Sequence, residues 1–93
     1  MKAAVIHLTK SIAVEHGPSN IRANALCPGV ITTEGMGAAS AATTPGKALR
    51  NPLGRAGSPK DAADLAAFLA SDKATYLNGV IIPLDGGWSC MLG

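Results

Sequence analysis

Residues 21–33, IRANALCPGVITT, constrain this chain more than any other stretch. The apolar run over 21–27 reads as a short buried strand that stops at Pro28-Gly29 and releases a polar loop ending in Thr32 and Thr33. Proline has no N–H to give a ladder, and glycine adopts backbone angles that other residues avoid, so the pair ends a strand sharply. A second apolar run, over 80–84, lies between the turn residues Asn78-Gly79 and Asp85-Gly86-Gly87 and reads as another buried strand. A helical segment separates the two runs. Strand, loop, helix, strand with a connection of this length implies a parallel pair with a right-handed crossover, hence an α/β fold. In an open parallel sheet, ligands bind just beyond the carboxyl ends of the strands, so 30–33 is the expected ligand-facing backbone.

Two helices complete the pattern. From Lys2 to His16, Val5, Leu8 and Ile12 recur at helical spacing, with Ile6 and Ala13 on an adjoining face, and Gly17-Pro18 then stops the helix. So broad a stripe suggests two packing partners, the sheet on one side and another helix or subunit on the other. Ser58, Pro59 and Asp61 mark a second helix start by a cap, a first-turn proline and a first-turn negative charge. Its expected buried face is Ala62, Leu65, Ala66, Phe68 and Leu69, and its expected end is near Ser71-Asp72. The intervening stretch over 34–50, rich in Gly, Ala, Ser and Thr, fits no strand period and reads either as a mobile lid over a substrate site or as plain disorder.

Composition narrows the function classes. Ninety-three residues make one small domain with a modest core. Hydrophobic residues are 47% but aromatics only 3%, which suits helices packed closely on a parallel sheet. The net charge of +2 comes from scattered basic residues without aromatic interleaving, so nucleic acid is not an expected partner. No stretch approaches the roughly 18 apolar residues of a membrane span. The opening MKAAVIHL mimics a leader but is broken by His7, Thr9 and Lys10, and reads as helix. Cys27 and Cys90 lie far apart with no metal-ligand spacing, which fits a reducing, cytoplasmic location and no metal site.

Taken alone, Lys2 is a cation at the wrong end of a helix dipole, a mismatch of roughly 0.3–1 kcal/mol that solvation at a frayed turn relieves. Likewise, the Pro28-Gly29 loop alone reads as an ordinary turn. Together with other segments they resemble one family. The order KAAVIHLTKSIAVEHGPSNIRANALCPGVITT followed by NPLGRAGSPKDAADLAAFLASDKATYLNGVIIPLDGG is similar to the carboxyl-terminal part of a classical short-chain dehydrogenase/reductase, over about residues 2–87. The resemblance implies the end of a Rossmann-type doubly wound parallel sheet, one partial domain over 1–93, with 34–50 as its lid.

By the same resemblance, Lys2 matches the lysine of the family's Tyr-x-x-x-Lys motif. That lysine binds the nicotinamide ribose hydroxyls and lowers the pKa of the tyrosine that acts as general acid or base. Pro28, Gly29, Ile31 and Thr33 match the family's PG-x-I-x-T loop, which holds the nicotinamide carboxamide with backbone groups near Ile31 and a hydroxyl at Thr33. A carboxamide needs both a donor and an acceptor, and backbone beyond a strand end offers them. The implied activity is NAD- or NADP-dependent interconversion of small-molecule alcohols and ketones by hydride transfer, in a homo-oligomer.

The departures from the family pattern bear on activity. The motif tyrosine would stand four residues before Lys2, ahead of Met1, and the glycine-rich phosphate loop and the catalytic serine and asparagine are also missing from these residues. Tyr76 has no Tyr-x-x-x-Lys spacing. The 93 residues alone are therefore expected to be inactive, a piece of an oxidoreductase cut inside an active-site motif. A non-catalytic module that docks on a complete family member through the first helix and the strand edge is the other expectation. With strands bare on one edge, the isolated chain is expected to be marginally stable or to self-associate. His7, His16 and Cys27 read as packing or surface residues, and Asp85 as a turn residue.

Overall fold

A computed structural model describes residues 2–32 and 51–92. In chain order these form helix α1 (Lys2–His16), strand β1 (Ala25–Pro28), helix α2 (Pro59–Ala70) and strand β2 (Ile81–Leu84), with short 3₁₀ turns at Gly17–Ser19, Asp72–Ala74 and Trp88–Leu92. The chain divides into two compact units, Met1–Leu26 with Leu65–Ile82 and Cys27–Asp64 with Pro83–Gly93. The lid expected over 34–50 lies outside the described residues, and so does Thr33.

β1 and β2 are neighbours in a two-stranded sheet. In the first unit the Ala25 N–H donates to the Val80 carbonyl at 2.9 Å, and in the second the Gly29 N–H donates to the Leu84 carbonyl at 2.9 Å. The constant offset between partners is the signature of a parallel register, as the connection length requires. β1 differs from its expected bounds: it begins at Ala25 and runs through Pro28. Residues 21–24 are outside it because their polar groups are engaged elsewhere. The Asn24 side chain accepts from the Val80 N–H at 3.0 Å and donates to the Leu77 carbonyl at 3.1 Å, and Ile21 is about half exposed. Pro28 fits the strand because ladder bonds alternate: the N–H groups of Ala25 and Gly29 face β2, so the nitrogen of Pro28 faces the other edge.

In the first unit, α1 buries only part of its expected stripe: Ala13 is buried and Ile6 and Ile12 are half-buried. Val5 and Leu8 are 52% and 60% exposed, whereas Thr9 and Ala13 are buried. The Thr9 hydroxyl donates to the Val5 carbonyl at 2.8 Å, so its burial leaves no polar group unpaired. Ala13 faces the turn at 78–79, where a Cβ built on Gly79 would lie in van der Waals contact, 3.4 Å from the Ala13 Cβ, and the φ of +77° at Gly79 is what favours glycine. The Asn78 amide donates to the Ala13 carbonyl, an orphan acceptor of the last helical turn, at 3.0 Å, and accepts from the Ala23 N–H at 3.0 Å.

α2 begins as expected. Ser58 caps it: its hydroxyl accepts from the Asp61 N–H at 3.2 Å, while the Asp61 carboxylate accepts from the Ser58 N–H at 2.8 Å, a reciprocal capping box. Of its expected buried face only Leu69 is fully buried; Ala62 and Leu65 are half-buried, and Ala66 and Phe68 are exposed because none of the described residues covers them.

The far end of α2 is closed by Arg22, whose guanidinium donates to the Leu69 carbonyl at 2.8 Å and more weakly to Leu77 and Ser71 at 3.4 and 3.5 Å. A cation at the negative end of a helix satisfies both the orphan carbonyls and the dipole. Arg22→Ala is expected to cost about 1–2 kcal/mol in a urea unfolding series. Arg22→Lys should recover less than half of that, since a point charge cannot span the three carbonyls.

Candidate active site

The second unit gathers four turn-rich segments: the loop after β1, the turn at 51–55, the α2 cap, and the glycines after β2. Gly29 ends β1 by close approach, since a Cβ there would lie 2.9 Å from the Asp85 Cβ and 3.1 Å from its Cα. It does so with an ordinary negative φ, so the expectation that Gly29 serves by unusual backbone angles is corrected. Beyond it, Ile31 pairs with Gly57 in an isolated parallel bridge. The Gly57 N–H donates to the Val30 carbonyl at 2.9 Å, and the Gly57 carbonyl accepts from the Thr32 N–H at 2.9 Å and the Thr32 hydroxyl at 3.2 Å. In a parallel bridge the flanking residues supply the bonds, so the N–H and C=O of Ile31 itself point away from Gly57. A donor and an acceptor thus stand side by side on one residue just beyond a strand end. This is the pair that a carboxamide requires, and the described backbone fits the nicotinamide end of the expected cofactor.

The support behind this loop is built from side chains. The Asn51 amide accepts from the Gly54 N–H at 2.9 Å and donates to the Arg55 carbonyl at 2.8 Å, folding the turn at 51–55. The Leu53 N–H donates to the Gly86 carbonyl at 3.3 Å. Arg55 reaches the Asp61 carboxylate at 3.2 Å. Asp85 accepts from the Gly87 and Ser89 N–H groups at 3.0 and 3.1 Å, which makes it the turn residue expected. A cavity of about 160 Å³ opens here, with Ile31, Arg55, Asp61 and Asp85 in its lining. Its charged groups are already committed to neighbours, so none of them is poised as an acid or base.

Hydrogen bonds from the Ser58 N–H and the Arg55 guanidinium hold the Asp61 carboxyl below the ordinary carboxylate range. A depressed folded pKa means stability that is present above about pH 3.9, the unfolded value, and lost as pH falls through the folded one. Urea unfolding midpoints should therefore drop on acidification below about pH 4. Asp61→Asn should lower the neutral-pH midpoint and flatten the acid slope; an unchanged slope would remove Asp61 from the account.

Lys2 is the first residue of α1 and belongs to the first unit, while Pro28, Gly29 and Ile31 belong to the second. Tyr76 is fully exposed, His7 and His16 are exposed, and Cys27 and Cys90 are free. Among the described residues no three metal-ligating side chains cluster, and no helix is long and apolar enough to cross a membrane. The bridge from Gly57 to Ile31 escaped the sequence, because a single paired residue leaves no periodic trace.

Residues 1–89 match a family model described as enoyl-(acyl carrier protein) reductase. The short-chain dehydrogenase/reductase aba4 of Botryotinia fuckeliana is 44% identical over 96% of this chain and 37% of its own length. The chain belongs to the short-chain dehydrogenase/reductase family. Solved members of the family share its fold. An oxidoreductase of the short-chain dehydrogenase/reductase family from Burkholderia thailandensis superposes with a TM-score of 0.88 at 36% identity, over 96% of this chain and 36% of the other. A 4-hydroxyisoleucine dehydrogenase complexed with NADH does so with a TM-score of 0.79 at 36% identity, over 96% and 36% of the two chains. The chain thus spans about a third of the length of these short-chain dehydrogenase/reductases. What it holds is the Rossmann-type segment that ends in the loop after β1 and the two glycines after β2.

Proposed function

We propose that these residues are the carboxyl-terminal part of an NAD(P)-dependent oxidoreductase that interconverts small-molecule alcohols and ketones. The observation that carries the reading is the outward N–H and C=O of Ile31, left unbridged by Gly57 beyond β1. When bound, a nicotinamide supplies hydride exchange with the carbon of the alcohol or carbonyl. The chain's own part is binding and orientation. Pro28 and Gly29 end the strand, Ile31 offers its N–H to the carboxamide oxygen and its C=O to the carboxamide nitrogen, and Thr33 adds a hydroxyl. Lys2 binds the ribose hydroxyls, and its positive charge lowers the pKa of a tyrosine four positions earlier, which moves the proton to or from the substrate oxygen. The 93 residues contain no tyrosine so placed, so by themselves they are proposed to be inactive. The exposed Val5, Leu8 and Val14 on α1 support a homo-oligomer, and the two free cysteines support a cytoplasmic location.

The test is an enzyme of full family length, made by joining the upstream two-thirds of the Botryotinia fuckeliana relative to residues 1–93. Cofactor fluorescence should report NADH or NADPH binding by the joined enzyme and none by the 93 residues alone. A folded joined enzyme that binds neither cofactor would overturn the assignment of the loop.

A further inference from the structure

We infer that Gly57 is a positioning residue for cofactor recognition, setting the direction in which Ile31 presents its N–H and C=O; this rests on the reading of the Ile31 loop just given. Three hydrogen bonds meet on this one residue. Its N–H holds Val30, and its carbonyl holds both the N–H and the hydroxyl of Thr32. Gly57 therefore grips the chain on both sides of Ile31 and fixes the rotation of the peptide planes between them. Its own position is set from both flanks: Asn51 holds the Arg55 carbonyl, and Asp61 holds the Ser58 N–H. A side chain at 57 would meet Ile31 first, since a Cβ there would lie 2.7 Å from the Ile31 Cδ1. A methyl could be relieved by turning the isoleucine tip, but a branched side chain must push the two segments apart. Thr32 is the second half of the device, since its hydroxyl doubles the bond that its N–H makes to the same carbonyl.

Two readouts test the inference, one of them without cofactor. By amide exchange in the 93-residue chain, Thr32 and Gly57 should be protected and Ile31 open. Gly57→Val should speed Thr32 exchange about tenfold or more while leaving the Ala25 amide unchanged. The second readout is the ratio of equilibrium dissociation constants, in the joined enzyme, for NADH and its 3-acetylpyridine analogue. The analogue keeps the carbonyl acceptor but replaces the amino donor with a methyl group, so the ratio reports on the Ile31 C=O. Gly57→Val should reduce the preference for NADH by about two- to tenfold. Thr32→Val, which removes only the hydroxyl bond, should reduce it in the same direction by less, and Thr32→Ser should restore it. If Gly57→Val does not fold, the threonine pair decides alone. Equal weakening of both cofactors, or unchanged Thr32 exchange, would overturn the inference and reduce Gly57 to packing. Failure of the unsubstituted joined enzyme to bind either cofactor would instead sink the reading of the loop itself.

Discussion

Lys2→Ala in the joined enzyme is expected to lower kcat/KM by about 10²- to 10⁴-fold, the range that a positioned acid or base contributes. Two losses combine in it. The ribose hydroxyls lose a charged donor, which raises the cofactor KM. The tyrosine loses the positive neighbour that favours its ionised form, so its pKa rises and the alkaline-active limb of the pH profile moves upward. Lys2→Arg separates the two: it keeps the charge, and so most of the tyrosine shift, but its planar fork cannot donate as a compact ammonium does. A Lys2→Ala enzyme with unchanged kcat/KM and unchanged pH profile would mean that the match of Lys2 to the motif lysine is coincidental.

Gly86→Ala is expected to be the most damaging single-methyl change in the second unit, at about 2–4 kcal/mol. Gly86 has a φ of +65°, where a Cβ costs about 1–2 kcal/mol. That Cβ would also lie 2.7 Å from Oδ1 and 2.8 Å from Cγ of Asn51. Asn51 is buried and cannot swing away without breaking its bonds to the Gly54 N–H and the Arg55 carbonyl, each worth about 1 kcal/mol. Gly54 is the internal control: its φ is +73° but nothing lies within 4 Å of a Cβ there. Gly54→Ala should therefore cost only the backbone part, about 1–2 kcal/mol. Urea midpoints for the two variants give the collision by difference, and in an Asn51→Ala background the excess at Gly86 should vanish. Equal losses at the two glycines would show that Asn51 does not brace the turn.

The legible parts of this fold were those written in adjacent residues. Ser58, Pro59 and Asp61 announce a helix start because capping is chemistry within one turn. The two apolar runs announce a parallel pair because the connection between them is too long for a hairpin. The face of α1 was not legible in the same way. Apolar residues lie on more than one side of it, and at the end of the helix burial falls to Ala13, where Asn78 and Gly79, over sixty residues later, bring a turn against it. Nothing local to α1 says so. The start of β1 was misjudged for a related reason: Arg22 and Asn24 serve carbonyls and N–H groups of residues 69–80, and those partners become visible only in three dimensions. Pro28, Gly29 and Ile31 were assigned to cofactor binding through a family resemblance, whereas the Gly57 bridge beside Ile31 is visible only in three dimensions.

The most direct measurement is a dehydrogenase assay of the 93-residue chain alone, following nicotinamide absorbance with NAD and NADP over a panel of secondary alcohols and ketones. In the reading proposed above, Lys2 is the motif lysine and the Ile31 loop holds the cofactor, but none of the 93 residues stands where the motif tyrosine is expected, so no turnover is predicted. Turnover that disappears in Lys2→Ala would contradict the account, because another group on these 93 residues would then have to supply that proton.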